Sequence, residues 1–191
     1  NDGTNDLVIN LLAIGRLTSQ KGHKYLIKAL YNLINSGLKN LKLYIVGSGE
    51  LQRELEALTK DLGIQKHVVL LGNRTEIPEI IRASHIYVMP SLWEGLSVSL
   101  LEAISMGIPI VATNVGSNES LLRQCDKLIY KIIEPGNENL IAQAIEEIIN
   151  LNPKEFLQSE SRKNCLPPQY IFSTFVSEHE SLYIKLIEDY K

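Results

Sequence analysis

Cysteine is scarce: the chain has two, Cys125 and Cys165, far apart, with no CxxC pair and no cluster of histidines beside either. That excludes a disulfide framework and a zinc site of the usual spacing, and it fits a reducing compartment. Apolar runs long enough to span a bilayer are missing, and the polar opening Asn1 to Asp6 is no secretory leader. There is no basic surplus either. With 19 Lys and Arg against 22 Asp and Glu, the formal net charge is −3, and no nucleic-acid footprint is indicated. Internal repeats, low-complexity stretches and D-x-D pairs of carboxylates are also absent. What remains is ordinary in bulk: 191 residues, 45% hydrophobic and 21% charged, enough for one sizeable globular domain.

Residues 86–116, IYVMPSLWEGLSVSLLEAISMGIPIVATNVG, are the stretch that the rest is organised around. The apolar run 86–89, ended by Pro90 and Ser91, has the pattern of a buried parallel strand, which needs no alternation. A polar loop follows, in which Gly95 lets the backbone approach a ligand closely. Ser97 and Ser99 are both candidate N-caps of a helix ending near Met106 and Gly107, before Pro109. Such a helix start offers unpaired N–H groups and a partial positive charge, which suit a phosphate or diphosphate. Glu94 lies in the loop and Glu102 inside the helix, so two carboxylates flank that anion position. A carboxylate can accept two hydrogen bonds from a vicinal diol, so the layout suits a ligand with a sugar at each end of a diphosphate. The simpler alternative is a capping box, Ser99-Leu-Leu-Glu102, which is favourable with no ligand present.

Residues 7–14 form a second apolar run, followed by the loop 15–22 and a helix over 23–36. Its apolar positions Leu26, Ile27, Leu30, Leu33 and Ile34 make one buried face, and Gly37 stops it. The loop places Arg16 and Lys21 at the carboxyl end of the strand, where open α/β sheets bind their ligands. Alone, such a pair is most often solvated surface. Beside a diphosphate, Arg forks onto two oxygens and Lys supplies a compact charge.

Further strands are expected at 41–46, 68–71, 108–113 and 128–133, with helices at 50–62, 77–84, 120–124 and 137–150. Another helix starts at Pro153, Pro167-Pro168 breaks it, and 172–190 is helical. Gly47-Ser48-Gly49 is a tight strand-to-helix turn, with Gly49 required by packing. His85 is expected to be a structural hydrogen-bonding residue, and Trp93 is either loop packing or a wall near the site. Strands alternating with helices throughout argue an α/β fold with a doubly wound parallel sheet of about six strands, Rossmann-like.

Two of these segments carry a resemblance. Glu94-Gly95-Leu96-Ser97 through Glu102-Ala103, with Gly107-Ile108-Pro109-Ile110-Val111-Ala112-Thr113, resembles the E-x7-E donor signature of retaining glycosyltransferases of the GT-B fold, in the group 1 family. Gly15-Arg16-Leu17 with Lys21-Gly22 is similar to that family's G-R-L-x-x-x-K-G segment. The resemblance implies that Arg16 and Lys21 hold the donor diphosphate, Glu94 contacts the transferred sugar and Glu102 the nucleotide ribose. Arg16, Lys21 and Glu94 are thereby the candidate catalytic residues. Gly15, Gly47, Gly95, Leu96, Ser97 and Val98 are candidate donor-binding residues, and Asn73 and Arg74 lie on the loop that reaches the base. The family's usual loop is E-G-F-G, and Leu96 and Ser97 replace its last two residues here.

The implied function is transfer of a sugar from a nucleotide-diphosphate sugar to a hydroxyl with retention, in polysaccharide or glycoconjugate synthesis, with no metal and no cofactor. By the same resemblance, residues 1–191 are the donor-binding half, with 171–191 as a C-terminal helical segment. An N-terminal acceptor domain is the missing partner, and without it the fragment should not turn over acceptor. A cytoplasmic location follows, with contact at the inner face of the membrane made by the full-length protein. Two alternatives use the same fold. A nucleotide-sugar epimerase would need an acid and base pair that the sequence does not display, and a non-catalytic nucleotide-binding module would not need both sets of contacts.

Overall fold

In a computed structural model, residues 8–151 and 163–171 are described. The expected start of the first strand at Leu7, the helix beginning at Pro153 and the helix over 172–190 lie outside them. Six strands are present: β1 (Ile9–Ile14), β2 (Leu41–Val46), β3 (Val68–Gly72), β4 (Ile86–Met89), β5 (Ile110–Thr113) and β6 (Tyr130–Ile133). They form one sheet in the order β3-β2-β1-β4-β5-β6, with every neighbouring pair parallel. The helices between them are α1 (His23–Asn35), α2 (Gln52–Asp61), α3 (Ile77–Arg82), α4 (Val98–Ser105), α5 (Asn118–Leu122) and α6 (Glu138–Leu151).

Both faces of the sheet are covered, which is why its central strands read as unbroken apolar runs. Along β1, Leu11 and Ala13 point into a core shared with α1, α2 and α6, while Leu12 points into a second core with α3, α4 and α5. In β4, Ile86 and Val88 join the first core, and Tyr87 and Met89 the second. This is the two-residue period of a strand expressed in three dimensions. Leu26, Ile27, Leu30 and Leu33 are buried on α1 as their spacing predicts, and Gly37 follows the helix at φ 113°.

Strands β5 and β6 begin two residues later than the apolar runs suggest, at Ile110 and Tyr130. Ile108 and Leu128 are buried without being ladder residues, and burial rather than pairing explains their apolar character. Pro109 cannot donate to a ladder, yet its carbonyl accepts from the Tyr87 amide at 2.9 Å. Residues 163–171 lie over the end of α4, where the Cys165 amide donates to the Ile104 carbonyl. Cys125 and Cys165 are both free. His85 has the structural role expected of it: its Nδ1 accepts from the Asn10 amide at 2.8 Å.

Candidate functional site

The strand order reverses between β1 and β4, so the chains leaving their carboxyl ends diverge and open a crevice. The loop after β1 carries Arg16 and Lys21, and the loop after β4 carries Glu94. These two loops are joined to each other. The Leu92 amide donates to the Gln20 carbonyl at 2.7 Å, and Gln20 Nε2 donates to the Trp93 carbonyl at 3.0 Å. On the other side, the Ser117 amide and hydroxyl both donate to the Gly95 carbonyl, at 3.2 and 3.1 Å. Residues 90–97 are therefore clamped between the turns that follow β1 and β5.

The clamp brings Lys21 to Glu94, 73 residues away in sequence. Lys21 Nζ lies 2.5 Å from Glu94 Oε1, with the two side chains 17% and 8% exposed. The lysine stem runs across Gly15, where a Cβ would stand 3.0 Å from Lys21 Cδ. Ser91 Oγ donates to the same Glu94 oxygen at 2.8 Å. Removing one partner from such a pair strands the other charge away from water. Lys21→Met is expected to cost about 2 kcal/mol, and Lys21→Met with Glu94→Leu less than the sum of the single changes, by roughly 1 kcal/mol. Denaturant unfolding of the four proteins measures this coupling.

Beside the pair is a cavity of about 390 Å³, walled by Gly15, Arg16, Lys21, Glu94 and Glu102. Leu96, Ser97 and Val98 close it at the start of α4. Arg16 is exposed and makes no ion pair with the described residues. Burial pushes the Glu102 carboxyl above its ordinary range. Ser97 occupies the N-cap position, although its side chain makes no capping bond. Ser99 lies inside the first turn, so the capping box with Glu102 is not formed. The Ser99 hydroxyl instead accepts from Tyr87, at 2.9 Å, and pairs with Ser97 Oγ at 3.1 Å. Tyr87 is fully buried, and burial pushes its phenol far up.

Other expected site residues lie elsewhere. Gly47 sits at φ 134° and a Cβ there would be 2.1 Å from the Gly15 carbonyl oxygen, so it supports the first loop from behind. Gly49 packs in the same way against the Leu17 carbonyl. Asn73 and Arg74 are exposed after β3, and neither they nor Gly95 are among the cavity's walls. Trp93 is 54% exposed and is not among the cavity's walls. Gln20 and Ser99 also line the cavity; a glutamine in that loop carries no distinctive sequence pattern, and Ser99 reads in the sequence only as a helix cap. Among the described residues, no group of three or more His, Cys, Asp or Glu is placed to hold a metal ion. No helix among them is long and apolar enough to cross a membrane.

A doubly wound sheet with a charged crevice at its switch point defines a domain of the Rossmann-like class. The model of the family described as glycosyl transferases group 1 matches residues 9–150, and the chain belongs to that family. Over 155 residues it is 38% identical to an Escherichia coli protein named UDP-Gal:alpha-D-GlcNAc-diphosphoundecaprenol alpha-1,3-galactosyltransferase, covering 80% of this chain and 38% of that protein. The chain thus spans less than half the length of that relative. Among solved structures, Anabaena HepE in complex with UDP superposes with a TM-score of 0.67 at 25% identity, covering 79% of this chain and 40% of that one. A glycosyltransferase from Rickettsia africae gives a TM-score of 0.77 over 94% of this chain and 48% of its own, at 22% identity, and shows the shared fold. The fold is that of one half of a GT-B glycosyltransferase.

Proposed function

We propose that the chain is the donor-binding half of a retaining glycosyltransferase, and that its cavity takes a nucleotide-diphosphate sugar. The observation that carries this is the Lys21–Glu94 pair, in which loops from β1 and β4 bring a phosphate-binding cation and a hydroxyl-binding carboxylate to one wall. Arg16 and the N-terminus of α4 supply further positive potential around the space for the diphosphate. Glu102, inside α4, accepts from the ribose diol in this reading. Uridine is the base we propose, because the Escherichia coli relative is named for UDP-Gal and HepE is in complex with UDP.

Breaking the bond from the anomeric carbon to the phosphate oxygen leaves negative charge on the departing diphosphate. Lys21, Arg16 and the free N–H groups of α4 stabilise that charge as it develops, which is electrostatic catalysis without a metal ion. Glu94 orients the sugar through its hydroxyls and forms no covalent bond to it. The acceptor hydroxyl approaches from a second domain, in a protein that works on the cytoplasmic side of a membrane in polysaccharide or glycoconjugate synthesis.

Calorimetric titration of the chain with UDP, UDP-glucose and UDP-galactose, in EDTA, tests the assignment. Arg16→Ala is expected to weaken all three by about tenfold or more, the effect of losing a charged hydrogen bond. Glu94→Gln should weaken the sugar conjugates more than UDP. An unchanged UDP affinity in Arg16→Ala removes that residue from the site, and equal losses in Glu94→Gln remove the sugar contact.

A further inference from the structure

We infer that Ser91 is a positioning residue for the sugar end of this site: its hydroxyl holds the Glu94 carboxylate so that one oxygen is fixed and the other faces the ligand. The inference rests on the donor-site reading above and adds a residue to it. Ser91 is 1% exposed, and its Oγ donates to Glu94 Oε1, the atom that Lys21 also meets. Among the described residues, Glu94 Oε2 receives no hydrogen bond, which leaves it to accept from a sugar hydroxyl.

Ser91 is itself held from beneath. Its carbonyl accepts from Thr113 Oγ1 at 2.7 Å, and the Thr113 carbonyl accepts from Asn118 Nδ2 at 2.9 Å. Thr113 and Asn118 are 0% and 1% exposed. A buried polar chain therefore runs from the start of α5, through the end of β5, to the serine and the carboxylate. In water a glutamate samples many rotamers, and two donors converging on one oxygen select one of them. Preorganisation of this kind is what allows a carboxylate to discriminate among hydroxyl positions.

The two donors do not remain equivalent once a ligand enters. A diphosphate competes with Glu94 for the Lys21 ammonium, whereas the Ser91 hydroxyl is neutral, buried and not among the cavity's walls, so the ligand does not compete for it. Ser91 then keeps Glu94 in place while Lys21 serves the phosphates. Its loss should be felt by the sugar and hardly by the nucleoside diphosphate.

The test uses the whole chain as wild type, Ser91→Ala and Ser91→Thr. In calorimetry, Ser91→Ala is expected to weaken UDP-glucose or UDP-galactose about tenfold while UDP changes less than about twofold, and Ser91→Thr to recover most of the loss. Equal losses for UDP and its conjugates, or no recovery with threonine in a protein that melts like wild type, overturn the positioning role. A second measurement needs no ligand. The Lys21 ammonium should give a slowly exchanging proton–nitrogen signal in wild type and Ser91→Thr, and lose that protection in Ser91→Ala. Retained protection in Ser91→Ala overturns the inference. If wild type binds none of the nucleotides, the donor-site reading fails for this chain, and the ammonium signal still decides whether Ser91 fixes Glu94.

Discussion

Gly22→Ala is expected to lower stability by roughly 3 kcal/mol or more, about 10 °C in melting temperature for a domain of this size, and to abolish nucleotide binding with it. Gly22 sits at φ 64°, where a side chain is strained, and a Cβ there would stand 2.0 Å from the Pro90 carbonyl oxygen. That oxygen is backbone and cannot swing aside. Relief requires the loop after β1 to part from the loop after β4, which separates Lys21 from Glu94. Gly37→Ala is the matched control, because its φ is 113° but nothing lies within 4 Å of the added atom. It should cost about 1 kcal/mol, the backbone strain alone, and leave the site intact. Thermal unfolding together with UDP titration distinguishes the two, and equal effects would mean that the contact with Pro90 does not hold the loops together.

Acid is expected to destabilise the domain through His23. Burial depresses its pKa to about 4, the backbone at Gly15 and Arg16 offsets this in part, and the neighbouring Lys21 charge depresses it further. The ring is 3% exposed and neither nitrogen makes a well-formed hydrogen bond. The unfolded chain takes up a proton as pH falls through about 6.5, whereas the folded one resists until about pH 4. Stability from this residue is therefore complete above pH 6.5 and is lost as pH drops toward 4, by about 3 kcal/mol in all. Denaturant unfolding across that range should show the slope, and His23→Gln should flatten it. An unchanged slope in the variant would assign the acid sensitivity to other groups. Because His23 begins α1 directly after Lys21 and Gly22, the same protonation should loosen the donor loop.

These two residues also mark where sequence reasoning stops. The alternation of apolar runs and amphipathic segments specified α1, β2 and β4 nearly to the residue, because burial on both faces of a strand, or on one face of a helix, leaves a local periodic trace. The pairing of Arg16 and Lys21 with the end of one strand, and of Glu94 and Glu102 with the end of another, was legible for a related reason. Loop chemistry following a strand signal has a known address in an open α/β sheet. His23 carried no such trace, since a histidine at a helix start looks the same whether buried or solvated. Ser99 had two local explanations as a cap, and neither applies, because Tyr87 from the adjacent strand takes its hydroxyl. Asn73 and Arg74 share an end of the sheet with the site but not its cavity, a matter of how far the β3 loop extends.

By itself, then, the sequence determined the elements, their order along the chain and the chemical types available at the carboxyl edge, all of which follow from near neighbours. The tertiary structure alone decided that β1 lies beside β4 and that Gly22 lets their loops touch. It also decided that Glu94 is held by Lys21 on one side and Ser91 on the other. Contacts of that kind join groups distant along the chain or hidden within one loop. No periodicity encodes them, and they exist only when packing brings the backbones together.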